Sequence, residues 1–239
     1  MQNLAQTRNP TNLKRISFGV LVLLVLSVFT CAETLRASDD FQSWNSMQLK
    51  VVDTKYVDYV TYGELRLTND AGKLGFWQTT QKLQYDFFKY LGLATNYTYL
   101  ESEVANAKQT RNEFKYHHRF ELEANPRWSW KDRLNLRNRN RVEFRWIEGR
   151  GSDNTRWRTL GEVEVPLHKI PIVKSVYMSD ELFIDFPRQT INETRIVPVG
   201  LTVGVIKGID LKVYYMIQSQ KGNTWSSNQV LGTQLNLDF

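Results

Sequence analysis

Charged side chains occupy six of the seven odd-numbered positions of segment 133–145, which reads "RLNLRNRNRVEFR", and Asn135 occupies the seventh. They share one face of an extended chain, because successive side chains of a strand point to opposite sides. Arginine binds phosphates and carboxylates through paired hydrogen bonds, so this face could select anions or bind an acidic lipid or sugar. A structural alternative is that arginine and glutamate pair across strands to fill a barrel interior. The charged ladder, as we name this set, comprises Arg66, Arg137, Arg139, Arg141, Glu143, Arg145, Arg156, Arg158, Glu162 and Glu164.

The charges of runs 132–146 and 155–166 predict how these two strands pair. Unlike charges directly opposite each other stabilise an antiparallel pair, and like charges oppose pairing. The favoured register therefore places Glu143 opposite Arg158, Arg139 opposite Glu162 and Arg137 opposite Glu164. In this register Arg141 faces Leu160, so its guanidinium is free to meet a solute or a carboxylate across the lumen. We therefore predict that Arg141 determines anion selectivity.

The three histidines give little support for catalysis. A nucleophile–histidine enzyme needs a histidine beside a serine. His118 falls on the apolar face of its run and His168 lies in the turn "PLHKIP", whereas His117 falls on the polar face of a run without serine. Paired carboxylates such as Glu162 and Glu164 are expected to separate into salt bridges, and no metal cluster is visible. The sequence therefore predicts a protein that is not an enzyme, with no catalytic residue, metal or cofactor.

Period-two alternation recurs along the chain between turn-like segments, which predicts an all-β protein. A single domain of about 200 residues is a size that β-barrels reach undivided. Bacterial outer-membrane barrels have an even number of antiparallel strands. Since eleven runs are visible, we expect one hidden strand and predict about twelve, with ten as the second choice. The runs are 44–52, 58–68, 77–89, 93–101, 112–124, 132–146, 155–166, 174–185, 195–206, 209–219 and 229–239.

Two architectures fit this alternation. A water-soluble sandwich or lipocalin-like barrel buries its apolar face, whereas a transmembrane barrel turns that face toward lipid. Runs of about ten or more residues match a tilted membrane strand better than the usual five or six. Aromatic residues at the run ends suit two interfacial girdles, with Trp77, Trp146 and Trp157 at one level and Tyr90, Trp128 and Trp130 at the other. We therefore predict an antiparallel transmembrane β-barrel of the bacterial outer-membrane type.

The predicted outer face follows from the same alternation. It includes Val142, Phe144, Val163, Val165, Leu211, Val213, Leu235 and Leu237. The chain also ends on "VLGTQLNLDF", in which apolar residues alternate up to a final phenylalanine. This ending resembles the signal by which the barrel-assembly machinery recognises and inserts outer-membrane barrels, and its residues are Leu231, Leu235, Leu237 and Phe239. The expected partners are that machinery and outer-membrane lipid, in a Gram-negative bacterium.

Residues 1–32 have the layout of a secretory signal peptide, in which basic residues precede the uncharged segment 16–30. That segment is short for a membrane-spanning helix, which needs about 20 apolar residues. Cleavage is expected after Ala32, with Ala37 as a second position. An uncleaved anchor is one alternative, and a lipoprotein that carries its lipid on Cys31 is another.

The mature chain then consists of an N-terminal lead, 33–43, and a barrel domain, 44–239. Cleavage removes three basic and no acidic residues, so the net charge falls from +6 to +3. No block of like charge indicates nucleic-acid binding. Cys31 is the one cysteine of the sequence, so its removal leaves neither disulfides nor thiolate metal sites.

Scattered residues resemble an uncharacterised outer-membrane β-barrel family, catalogued as domain of unknown function 2490. The clearest match is "TRIVPVGLTVGVIKGIDLKVYYMIQSQ" followed by "NQVLGTQLNLDF". The resemblance implies a barrel fold and a membrane, and it brings no established activity. Pro198 departs from the family pattern and predicts a bulge that changes the phase of its strand. Further matches are Trp44, Arg66, Tyr97, His118–Arg119–Phe120, "RNRVEFR" at 139–145, Arg156, Arg158 and Glu181.

Three functions are consistent with these features. The first is a passive, porin-like channel or transport barrel with an arginine-rich lumen. The second is a structural or adhesion barrel of the outer membrane, and the third is an outer-membrane lipid-modifying enzyme. The sequence favours the channel and leaves its solute and oligomeric state open.

Overall fold

The computed structural model describes residues 38–105, 112–149, 155–168 and 172–238, and they form a closed β-barrel. The predicted signal peptide, Cys31 and Phe239 lie outside the described residues. Among the residues described, no helix is long and apolar enough to cross a membrane. The strands are β1 (Ser38–Asp53), β2 (Val57–Thr68), β3 (Lys73–Phe88), β4 (Leu91–Ala105), β5 (Asn112–Trp130), β6 (Leu134–Ile147), β7 (Arg156–Pro166), β8 (Val173–Asp185), β9 (Thr190–Ile206), β10 (Ile209–Lys221) and β11 (Trp225–Asp238).

The barrel has eleven strands, so the predictions of twelve and of ten are both wrong. Each strand pairs antiparallel with its neighbours in sequence, and β1 closes the barrel by pairing in parallel with β11. In a closed barrel with an odd number of strands, the first and last strands run in the same direction. A parallel ladder also pairs the backbone groups of both strands, so the barrel has no open edge. The prediction of an even number of strands had assumed that the first and last strands pair antiparallel. All eleven alternating runs correspond to wall strands, and the described residues contain no further strand.

Several strands are longer than the alternation predicted. β1 begins at Ser38, so part of segment 33–43 belongs to the barrel wall. β5 continues through Arg127 to Trp130. Strands extend through polar and mixed residues because the ladder bonds come from the backbone. We name the barrel end with connections 54–56, 89–90, 131–133, 167–172 and 207–208 the turn end, and the end with 69–72, 106–111, 148–155, 186–189 and 222–224 the loop end.

The bulge predicted at Pro198 is confirmed. Val197 faces the interior before the proline and Gly200 faces it afterwards, so the inward parity changes from odd to even. The pairing register shifts at this place against both β8 and β10. Proline carries no N–H for the ladder, which confines it in sheets to edges and bulges.

Apolar side chains cover the outside of the wall. Phe144 and Val163 are each 37% exposed and Leu231 is 47% exposed, although all three belong to regular strands. The inward positions between them carry mainly polar and charged groups. The predicted aromatic groups fall at the two ends of the strands: Trp77, Trp146 and Trp157 toward the loop end, and Tyr90, Trp128 and Trp130 toward the turn end.

Candidate functional site

The charged ladder lies on the inner side of the barrel. Arg66 comes from β2, five residues come from β6, and the other four come from β7. Inward residues of β6 have odd numbers and those of β7 have even numbers, as strand alternation requires. Arg145, Arg156 and Arg158 are at most 9% exposed, so most of this charge is removed from bulk solvent.

The predicted register between β6 and β7 is wrong by two residues. The structure places Arg141 opposite Arg158, Glu143 opposite Arg156 and Arg139 opposite Leu160. Two like charges therefore face each other directly, which the charge-pairing rule disfavours. The reason is that each of these arginines binds carboxylates on other strands, so the direct partner does not decide the register.

Ion pairs in the wall join directly opposed residues, diagonal neighbours and residues on either side of an intervening strand. Arg158 contacts Glu143 on β6 at 2.7 Å and Glu181 on β8 at 2.9 Å. Glu143 also accepts from Arg156 at 2.7 Å. Arg139 reaches over β7 to Glu181 at 2.8 Å. Glu143 and Glu181 thus each contact two guanidinium groups, and the pairs form a network rather than isolated bridges.

Arg141 is not the free arginine that the predicted register required. Its guanidinium contacts Glu121 at 3.1 Å and Glu123 at 2.5 Å, both on β5. Lys82 on β3 approaches Glu123 from the other side at 2.9 Å. Because Arg141 is held by two carboxylates of the wall, the argument that singled it out for selectivity fails.

A second group of cations lies over aromatic rings. The Arg66 guanidinium lies 3.6 Å from the ring centre of Trp44 and 3.9 Å from that of Phe76. Arg195 lies 4.8 Å from Trp44 and 4.5 Å from Phe183, and it therefore links rings from β1 and β8. Arginine stacks well on aromatic faces because its guanidinium is planar and weakly hydrated.

One side of the interior is apolar. Its residues come from β1 and β8–β11, and they form the hydrophobic cluster of the barrel. We name this side the apolar sector, and the ion-paired interior of β5–β8 the charged sector. The apolar sector consists of Trp44, Tyr177, Val197, Tyr214, Met216 and Val230.

A cavity of about 850 Å³ remains between the two sectors. Its lining extends from Asp86, two residues before β3 ends at the turn end, to Gln220, one residue before β10 ends at the loop end. Eleven arginine or lysine side chains and six carboxylates line it. Glu123 and Glu143 carry fully buried side chains and lie outside this lining.

Sequence reasoning missed contacts between strands. Ser102 on β4 lies 3.3 Å from His117 Nε2, although His117 belongs to a run without serine. His118 is on the outer face, with its Nδ1 2.7 Å from the Tyr97 hydroxyl. Among the described residues, no group of three or more His, Cys, Asp or Glu is placed to hold a metal ion. This contact could have been predicted by pairing β4 with β5, because the two strands are consecutive in the sequence.

The residues of the proposed C-terminal signal lie on β11. Leu231, Leu235 and Leu237 alternate with inward Val230 and Gly232 and therefore share the outer side of the wall. Leu235 pairs with Met47 of β1 and with Leu211 of β10, so this strand is held on both sides.

The comparison with protein families gives a match over most of the barrel. A family model described as a protein of unknown function (DUF2490) matches residues 41–229, from the first strand into the last. No curated protein matches the chain. The match covers more than half of the sequence, and the chain therefore belongs to the DUF2490 family.

Proposed function

We propose that this protein is a passive channel of the bacterial outer membrane that prefers anions. The apolar outer face and the aromatic residues at both strand ends support a membrane location, because transmembrane barrels carry an apolar band between two aromatic girdles. Every strand has at least 11 residues, which is long enough for a tilted span of 9–11 residues. Leu231, Leu235, Leu237 and Phe239 would then serve the insertion of the barrel by the assembly machinery.

The arrangement of charge in the wall carries the anion preference. In the pair Arg139–Glu181 the arginine side chain is 32% exposed and the carboxylate 6%. In the pair Arg137–Glu162 the values are 50% and 13%. The long arginine side chain reaches past the short carboxylate, so cations face the cavity while the acids stay close to the backbone. A solute in the cavity therefore meets a positive surface, although most charges are paired.

Conductance in planar lipid bilayers tests this proposal. The purified, folded chain should give channels, and in a potassium chloride gradient the reversal potential should have the sign of chloride permeation. A conducting protein with cation preference would contradict the assigned selectivity. Absence of conductance would instead support a structural or adhesion barrel, and hydrolysis of phospholipid by the same preparation would support an enzyme.

A pair of neighbouring substitutions tests the membrane location. Val213 belongs to the outer side of β10, whereas Lys212 lines the cavity. Val213→Arg should reduce the free energy of unfolding in lipid vesicles by about 2–4 kcal/mol if Val213 lies near the bilayer midplane. Lys212→Gln should change it little. Equal losses for the two variants would contradict a lipid-facing outer surface and favour a soluble barrel.

A further inference from the structure

Arg119 differs from the other inward arginines of the charged sector because no carboxylate binds it. It comes from β5 and lines the cavity. Within the described part of the chain, its guanidinium forms no hydrogen bond or ion pair, and its Nε is shielded from solvent without a partner. A buried donor that lacks an acceptor costs about 1–3 kcal/mol, and more for a charged group. Such a group calls for an acceptor that the protein itself does not provide.

The pairing of β5 with β6 makes this position more unfavourable. Arg119 lies directly opposite Arg145, so two like charges face each other. Arg145 has Asp185 at 3.7 Å. The other directly opposed arginines, Arg141 and Arg158, are each held by two carboxylates at 3.1 Å or less. Arg141 and Arg158 are thus each held by two carboxylates, whereas Arg119 has no ion pair within the described residues.

The carboxylates next to Arg119 are already engaged. Glu121 lies opposite Glu143, and this is the next inward pair along the same two strands. Glu143 accepts from Arg156 and Arg158 through both of its oxygens. Glu121 accepts from Asn96 at 2.9 Å and contacts Arg141. Within the described residues, neither acid forms a hydrogen bond or ion pair with Arg119, although both lie on neighbouring inward positions.

Further hydrogen-bond donors line the same cavity. Arg156 and Ser102 line it together with Arg119. The Ser102 hydroxyl lies 3.3 Å from His117 Nε2, so a hydroxyl and an imidazole lie in the same half of the barrel interior as Arg119. Arginine offers paired N–H groups that match the oxygens of a tetrahedral anion. All of these residues lie in the loop half of the barrel, away from the ion pairs of Arg137.

We propose that Arg119, together with Arg156 and Ser102, forms a binding site for a phosphate group of a soluble solute. A phosphate dianion provides several acceptor oxygens, which satisfy the unpaired Nε of Arg119 and offset the charge of its guanidinium. The site faces the lumen and not the outer surface, which favours a solute over a phospholipid headgroup. The inference deepens the proposed function, because the lumen must admit the anion, but binding requires no passage through the barrel.

Isothermal titration calorimetry of the folded full chain in detergent micelles tests the site, with inorganic phosphate as the probe. Wild-type protein should bind phosphate in a saturable manner, and Arg119→Gln should weaken the affinity by at least about tenfold. Arg188→Gln, which removes an exposed arginine from the 186–189 connection at the same end, should change the affinity less than about twofold. Equal loss in both variants, or absence of saturable binding to wild type, would overturn the proposal.

Thermal unfolding supplies a second readout that a merely structural arginine would not move. Without phosphate, Arg119→Gln should unfold at the same temperature as wild type or higher, because an unpaired charge is removed. Phosphate should raise the unfolding temperature of wild type and leave that of Arg119→Gln unchanged, because a ligand stabilises only the fold that binds it. If the glutamine variant does not fold, Arg119→Lys replaces it, and its affinity should fall because the paired donors are lost. Undiminished phosphate affinity in the lysine variant would overturn the role of the guanidinium.

Separate arms distinguish the source of the ligand and the two proposals. A short-chain phosphatidic acid that binds more tightly than inorganic phosphate would overturn the assignment to a soluble solute. Chloride that displaces phosphate at equal concentration would overturn a tetrahedral-anion site. Saturable phosphate binding without conductance in planar bilayers would support the phosphate site and contradict the proposed channel. Anion conductance without phosphate binding would support the channel and overturn the phosphate site.

Discussion

The apolar sector and the charged sector fill one barrel interior by different means. In the apolar sector, the rings of Tyr177 and Tyr214 lie against the backbones of Gly200 and Gly232, their direct partners on neighbouring strands. In the charged sector, arginines extend over buried carboxylates, of which Glu143 is 0% exposed. The first arrangement depends on shape and the second on balanced charge. A side chain of the wrong size can be accommodated by a small movement of its neighbours, whereas an unbalanced buried charge cannot. Substitutions in the charged sector should therefore be the more destabilising.

The largest expected effect comes from Glu143→Gln. The variant keeps the shape of the side chain but leaves Arg156 and Arg158 without the carboxylate that both of them bind. Removal of one partner from a buried ion pair costs about 3–5 kcal/mol, because it leaves uncompensated charge. Urea unfolding of the protein in lipid vesicles, followed by tryptophan fluorescence, measures the loss in free energy of unfolding.

Glu162→Gln is the matched control for that experiment. Glu162 pairs with Arg137, whose side chain is 50% exposed. Exposed ion pairs contribute about 0–1 kcal/mol, so this variant should remain close to wild type. A loss as large as that of Glu143→Gln would mean that depth in the wall does not decide the effect, and the account of the charged sector would be wrong.

A smaller effect is expected in the apolar sector from Gly232→Ala. A Cβ on Gly232 would lie 2.0 Å from Cζ of Tyr214, so the ring must move. Overpacking of this kind costs about 1–3 kcal/mol. Gly161→Ala on β7 is the control, because no atom lies within 4 Å of the added Cβ, and it should be neutral or stabilising. If the two alanine variants unfold at the same urea concentration, the contact of ring with glycine is not what fills this sector.

The wall of the barrel could be predicted from the sequence much better than its closure. Alternation identified all eleven strands, because one face of each strand is consistently apolar. It also predicted the phase change at Pro198, because Arg195 shares its parity with the apolar residues Val197, Val199 and Leu201. The number of strands was wrong because nothing in the alternation distinguishes parallel from antiparallel pairing of β1 with β11.

The candidate site could be predicted only as a set of inward residues. Strand parity places a side chain on a face, but register also depends on partners two strands away, such as Glu181 for Arg139. Direct cross-strand pairs contribute only about 0.2–1 kcal/mol each, so several such contacts outweigh one unfavourable pair. Arg119 was noticed only within a family-like motif. Its importance depends on which carboxylates are already engaged, and that information exists only in three dimensions.

The smallest expected effect concerns Arg195, where the two sectors meet. Its guanidinium lies 4.8 Å from the ring centre of Trp44 and 4.5 Å from that of Phe183, and it pairs with Glu193 at 2.6 Å. Arg195→Lys keeps the charge for Glu193 but loses the planar stacking, so the loss should be about 1 kcal/mol. A double-mutant cycle with Trp44→Leu should give a coupling energy of about 0.5–1 kcal/mol, because the residues are in contact.

A double-mutant cycle of Arg195→Lys with Trp146→Leu is the control for the contact between Arg195 and Trp44. Trp146 belongs to the outer side of β6 and is 47% exposed, so its coupling to Arg195→Lys should be close to zero. Distant, independent sites add within about 0.3–0.5 kcal/mol, which sets the resolution of the comparison. A coupling for Trp44 that falls within that margin would mean that the two sectors are stabilised independently. A value above it would show that the stacked arginine joins the aromatic packing of one sector to the charge network of the other.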